Sequence, residues 1–313
     1  MRLEIAMIAE TQDFRSLMTT TMRMMNPSRR HLTLDGTDIH HISLGKQGGR
    51  LAVLLHGLGG STETFRDLVP FIPPSYHIVS VDIEGFGKTP LNRGKPLSFA
   101  RYVSDLHNLI SHVQEHSPNS ATATTNGIGD GSNKEPVLLI GHSLGGIISL
   151  HYAARYPTKV AGLLLLGVGR SMRGIPPAQQ RMRDLAKTAR EKGMDTVGEI
   201  AVKTNFPADR DNDNAHEREV QDAVSSCSAE AYAATAELVA SDDHHDPDYG
   251  VIACPAMFVA GDKDIISPPQ RSKDISSLLG GPSEVLVVES GHHMILQDIG
   301  GVKKALTKLL TML

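Results

Sequence analysis

The sequence predicts an α/β fold: a mostly parallel central sheet with helices on both faces, and a helical block inserted before its last two strands. Three observations carry that prediction. Short apolar runs, several ending in glycine, recur between segments of helical length, the pattern of strands buried on both faces and joined by crossover helices. From about residue 170 to 249 the strand signal disappears and only helical patterns remain. After residue 250 the alternation returns, strand then helix, twice.

Taken in order, "HLTL" and "IHHISLG" flank the turn "DGTD" and predict a β-hairpin. "RLAVLLHG" (50–57) is a buried strand, followed by a helical segment near 62–71, the strand "HIVSVDI" and a helix from about 98 to 116. Residues 117–136 are rich in Ser, Thr, Asn and Gly and read as a solvated, flexible loop. The strand "VLLIG", the helix "SLGGIISLHYAARY" and the strand "VAGLLLLGVG" complete the first part of the core, residues 31–169. Residues 170–249 are expected to form a helical cap, with "FPADRDNDN" as a charged loop inside it. The core resumes over 250–313 with "AMFVAG", a helix with Ser267 as N-cap and Pro268 as first residue, "EVLVVES" and a terminal helix.

Residues 1–30 stand apart as an N-terminal extension. They are rich in Arg and Met, but Glu4, Glu10 and Asp13 argue against a transit peptide, and no compact apolar centre makes a secretory signal. Bulk properties narrow the partners. A chain of 313 residues with 40% hydrophobic content and a net charge of -4 gives no reason to expect nucleic acid or an anionic membrane. Its apolar runs are too short to span a bilayer. Cys227 and Cys254 are the only cysteines, which fits a reducing, cytoplasmic compartment and makes neither a disulfide framework nor a metal cluster.

"EGFGKTP" (84–90) contains Gly87, Lys88 and Thr89, the ending of a phosphate-binding loop. The glycine such a loop needs five positions earlier is replaced by Asp82, and no helix opens on Lys88. "GLGG" (57–60) similarly lacks the third glycine of a dinucleotide fingerprint, because Thr62 stands in its place. "SDDHHDPDYG" (241–250) gathers acids and histidines, yet neighbours in one turn seldom aim at a single ion. No metal or cofactor is therefore expected.

The chemistry is carried by "IGHSLGG" (140–146), a G-x-S-x-G between a strand and a helix. A serine on so tight a turn is strained, with its hydroxyl exposed above the sheet. Ser143 is thus the candidate nucleophile, against the plainer reading of a helix cap. Backbone N–H groups of Leu144 and of Leu58, which follows His56-Gly57, are placed to receive an oxyanion; His56 itself reads as an anchor for that loop. A serine needs a base and the base an orienting acid. "AGDKDIISPP" offers Asp262 and Asp264 after one strand, and "ESGHHM" offers His292 and His293 after the last. Asp262, directly after Gly261, is placed to make the turn.

With that order, Ser then Asp then His, the chain resembles the α/β-hydrolase fold over roughly residues 31–313. The resemblance implies Ser143 as nucleophile, Asp264 as the acid (third after the strand-ending glycine) and His292 as the base. It also implies that "DIEGFGKTP" is the family's D-x-x-G-x-G-x-S structural loop, with Thr89 for serine. "GDKDIISPP" and "AEAYAATAELVASDD" are similar to 3-oxoadipate enol-lactonases and related small-molecule esterases. The expectation is a cofactor-free hydrolase of a small carboxylic ester or lactone. Ser143 argues against epoxide hydrolysis and dehalogenation, which use Asp at that position on this fold. Two other readings stay open: carbon–carbon bond hydrolysis of a diketone-like substrate, and a ligand receptor on the same fold.

Overall fold

The computed structural model describes residues 28–118, 135–209 and 213–313. The readings of residues 1–27, of 119–134 and of 210–212 in the charged loop lie outside these. Eight strands form one sheet among the described residues: β1 (Ser28–Leu34), β2 (Thr37–Gly45), β3 (Arg50–Leu55), β4 (Tyr76–Val81), β5 (Val137–His142), β6 (Val160–Leu166), β7 (Ala256–Gly261) and β8 (Ser283–Val288). Their spatial order is β1-β2-β4-β3-β5-β6-β7-β8. The β1–β2 hairpin and the β2–β4 pair are antiparallel, and every other pairing is parallel. β1, Ser28–Leu34, takes in the "HLTL" run of the expected hairpin.

Alternation along the central strands builds a core on each face of the sheet. Val53, Leu55, Val79, Leu139 and Leu165 pack with α1 (Phe99–Glu115) and α2 (Leu144–Arg155). Ala52, Leu54, Ile78, Ile140 and Leu164 point the other way, onto Val302, Leu306 and Leu309 of α9 (Ile299–Leu310). Successive side chains on a strand face opposite sides, so an all-apolar strand feeds both cores. In α1, Phe99, Tyr102, Val103, Leu106, Leu109 and Ile110 make one buried stripe at helical spacing, and Ser98 caps the helix by accepting from the Arg101 N–H.

The block between β6 and β7, the expected cap, comprises α3 (Pro176–Lys192), α4 (Met194–Asn205), α5 (Asn214–Ser225) and α6 (Ala229–Val239). Two local expectations are corrected. Residues 62–71 form two short 3₁₀ turns, Thr62–Phe65 and Val69–Phe71, because Pro70 removes an N–H donor from so short a segment. The helix after β7 is α7 (Pro269–Ser276), with Pro268 at its N-cap. Ser267 instead donates its hydroxyl to the Val168 carbonyl, 2.6 Å away. A short α8 (Met294–Gln297) precedes α9. No helix among the described residues is long and apolar enough to cross a membrane.

Candidate active site

Strand order reverses at β3, whose neighbours β4 and β5 leave in opposite directions; the crevice beyond the carboxyl ends at such a switch point is where open α/β sheets bind ligands. Ser143 stands there, between β5 and α2, with φ 50° and ψ -113°. It is one of two described non-glycine residues with positive φ, a strained conformation for serine. Its surroundings hold it there. A Cβ on Gly145 would clash with the Leu55 carbonyl, and one on Gly146 would lie 2.9 Å from Val168 Cγ2. Ser143 makes no side-chain cap to α2, so the plainer reading of a capping serine does not describe it. Its backbone N–H is tied to the Leu166 carbonyl at 2.9 Å.

Asp264 and His292 meet directly. His292 Nδ1 lies 2.8 Å from Asp264 Oδ2, and both side chains are buried. The other carboxylate oxygen accepts from the Ile266 and Ser267 N–H groups, each at 2.8 Å. Burial alone would raise the Asp264 pKa; the adjacent imidazole and the two amide donors outweigh it and hold the carboxyl below its ordinary value. An ionised carboxylate only accepts, so Nδ1 carries the hydrogen and Nε2 is left as the acceptor. Both this pair and Ser143 border the end of β6: a Cβ on Gly167 would sit 3.1 Å from His292 Nδ1, one residue beyond the Leu166 carbonyl that holds Ser143. Asp262, by contrast, is exposed and accepts from the Ser290 N–H at 3.0 Å.

Leu144 is the first residue of α2, so its N–H has no partner within the helix. Leu58 lies in the loop after β3; that loop abuts the elbow, since a Cβ on Gly57 would be 3.1 Å from Ser143 Cβ. His56 anchors the loop. Its Nδ1 donates to the Gly57 carbonyl (2.7 Å), its Nε2 accepts from the Ile83 N–H (3.0 Å), and burial lowers its pKa so that it stays neutral. The "EGFGKTP" segment wraps an internal carboxylate. Asp82 accepts from the N–H groups of Thr62 (2.6 Å) and Lys88 (2.8 Å) and pairs with His40 Nδ1 (2.7 Å). Gly87, at φ +56°, leaves the room that Asp82 fills.

Two supports of the site are not evident from the motifs. His142 Nε2 donates to the His292 carbonyl at 2.9 Å. Burial first, then His292, pushes its pKa down to about 3, so it keeps a single N–H for that bond. The only signal in the sequence is its place directly before Ser143. From the cap, the Asn205 carbonyl accepts the His292 N–H at 2.9 Å. The cap also reaches the Leu58 loop, where a Cβ on Gly59 would lie 2.8 Å from Val224 Cγ2. In "SDDHHDPDYG", Asp246 binds the Ser171 N–H and Arg170, while His244 stacks on Phe99 with ring centres 4.0 Å apart.

Residues 49–300 match the model of the hydrolase family described as serine aminopeptidase, S33. The chain belongs to that family. It is therefore an α/β hydrolase of the serine-hydrolase type, on a mostly parallel sheet flanked by helices. Among curated relatives it is 25% identical over 286 residues to a proline iminopeptidase, PfmaB, of Pestalotiopsis fici, covering 84% of this chain and 92% of that one. It is also 25% identical over 265 residues to Lipase 3 of a Moraxella species, covering 80% and 74%. Among solved structures, a thermophilic esterase from Thermogutta terrifontis superposes with a TM-score of 0.75 at 19% identity, over 91% of this chain and 98% of that one. The enol-lactonase from Burkholderia xenovorans gives 0.73 at 18% identity, over 90% and 100%.

Proposed function

We propose that this protein cleaves a small carboxylic ester or lactone through an acyl-enzyme, with Ser143, His292 and Asp264 as the triad. The observation that carries the reading is the buried Asp264–His292 pair at the end of the sheet that also bears a serine held at positive φ. Ser143 Oγ attacks the substrate carbonyl carbon and its proton passes to His292 Nε2. Asp264 holds the ring and offsets the imidazolium charge. The Leu58 and Leu144 N–H groups receive the oxyanion. Collapse expels the alcohol, which takes its proton from His292, and water then releases the acid by the same route. The cap packed on the Leu58 loop favours a compact acyl group.

The relative named a proline iminopeptidase makes amide substrates the competing class. The test is hydrolysis of short and long aryl esters, several lactones and a proline arylamide, each beside Ser143→Ala. Turnover of short esters or lactones, lost in the variant, supports the reading. Turnover of the arylamide alone would overturn it.

A further inference from the structure

A second cleft, of about 610 Å³, lies where the cap leaves and rejoins the core. Arg170 and Arg173 come from the cap's entry, His245 and Asp246 from its exit, and Arg271 and Asp274 from α7. Both carboxylates there accept hydrogen bonds. Asp246 accepts from Arg170 Nε and the Ser171 N–H, each at 2.8 Å, and from the Tyr249 hydroxyl at 3.1 Å. Asp274 accepts from Gln270 Nε2 at 2.8 Å.

Two guanidinium groups are left without a carboxylate among the described residues. Arg173 Nη1 lies 2.8 Å from His245 Nδ1, an imidazole nitrogen rather than a carboxylate oxygen. Arg271 Nη1 reaches only the Ile266 carbonyl, at 3.2 Å. Arg271 is also half-buried. Burial holds its pKa below the ordinary arginine value, against the pull of Asp264 and, more weakly, of Asp274, with Arg181 and Arg170 adding to the effect of burial. A partly desolvated cation whose only hydrogen-bond partner here is a carbonyl is unfavourable until an anion arrives. Guanidinium groups suit carboxylate and phosphate oxygens because their N–H donors form a fixed fork.

We propose that this cleft is a binding site for a small dianionic oxyanion, held between Arg173 and Arg271. Its occupant is inorganic phosphate or a short dicarboxylate, which share the oxygen geometry the two forks recognise. Occupancy ties the cap's entry to the loop that presents Asp264, because Arg271 holds the Ile266 carbonyl while the Ile266 N–H is bound to Asp264 Oδ1.

The experiment is thermal unfolding and calorimetric titration with sodium phosphate and, separately, sodium succinate, at ionic strength held constant with sodium chloride. Wild type, Arg173→Gln, Arg271→Gln and Ser143→Ala are compared. Wild type should show a saturable rise in Tm, with Kd weakened about tenfold or more in each arginine variant, as loss of a charged hydrogen bond implies. A response to phosphate alone identifies a phosphate site, and a response to succinate identifies a carboxylate one. Arg173 is exposed, so its variant stays folded even if Arg271→Gln does not. Ser143→Ala should respond as wild type does, which separates this site from the catalytic reading. Absence of a saturable response, an undiminished response in both arginine variants, or loss of it in Ser143→Ala would each overturn the proposal.

Discussion

The His292 N–H donates to the carbonyl of Asn205 at 2.9 Å, so the loop bearing the proposed base hangs from the last residue of the cap helix α4. Carbonyls at a helix C-terminus lack intrahelical partners, and this one finds its donor in the core. Gly291 makes the approach possible, since a Cβ there would run into the same carbonyl. Gly291→Ala should therefore push the His292 loop off the cap while leaving the sheet intact. Misplacement of a catalytic group by about 1 Å costs on the order of 10²-fold in rate. We expect a fall of that order in kcat with an unchanged far-UV circular dichroism spectrum. An unchanged kcat would show that the cap contact does not position His292.

That contact was not legible in the sequence, because it joins two backbone groups and leaves no trace in residue type. What was legible rests on side-chain pattern. Strands buried on both faces, such as Leu51–Leu55 and Val137–Ile140, declare themselves by unbroken apolar runs. The helical block between β6 and β7 declares itself by the loss of such runs, although the break between α5 and α6 at Ser226–Ser228 does not. Ser228 is the cap of α6, accepting from the Ala231 N–H, but serines are common enough that one more reads as part of a continuous helix. The proposed Ser, Asp and His positions stand out in the sequence because each follows a strand end. His142 does not stand out, because the motif assigns no role to the residue before its serine.

Nucleophile identity is open to direct chemical capture. A fluorophosphonate should label Ser143, located by peptide mass, and Ser143→Ala should abolish the labelling. The same variant should lose on the order of 10⁴-fold or more in kcat. Labelling of another serine with Ser143 untouched would remove the basis of the proposed mechanism.

Asp105, on α1, supplies a stability prediction independent of catalysis. Its Oδ2 is buried without a hydrogen-bond partner among the described residues. Burial, then repulsion from Glu84, raises its pKa to about 6. The folded protein thus binds a proton that the unfolded chain has already released, so stability falls as pH rises from about 4 to about 6 and stays reduced above that. Asp105→Asn removes the penalty. Because the side chain is partly in solvent, which screens the repulsion, the gain at pH 8 should be about 1 kcal/mol. It should shrink below pH 5, where the aspartate is itself protonated. Equal Tm for the two proteins at pH 8 would contradict this account.

The two acids after β7 are separated by what each oxygen does. Asp262 is exposed, and its carboxylate accepts from the Ser290 N–H at 3.0 Å, a bond that an amide oxygen can also accept. Asp262→Asn should therefore keep kcat within a few-fold of wild type. Asp264 is 3% exposed, with Oδ1 fixed by the Ile266 and Ser267 N–H groups and Oδ2 aimed at His292 Nδ1. With Oδ1 still holding the two amides, Asp264→Asn presents an NH₂ to the imidazole. That amide forces the hydrogen onto Nε2, the nitrogen that must take the Ser143 proton, a defect worth about 10⁴-fold in turnover. The same residue sets an acid limit. Its folded-state pKa lies below the unfolded value, so the stability it contributes is present above about pH 4 and is lost as pH falls through the lower value. Wild type should lose Tm in that range, and Asp264→Asn, which carries no such proton, should lose less. Measured kcat for the two asparagine variants near neutral pH decides the assignment. A severe loss in Asp262→Asn with activity kept in Asp264→Asn would transfer the orienting role to Asp262.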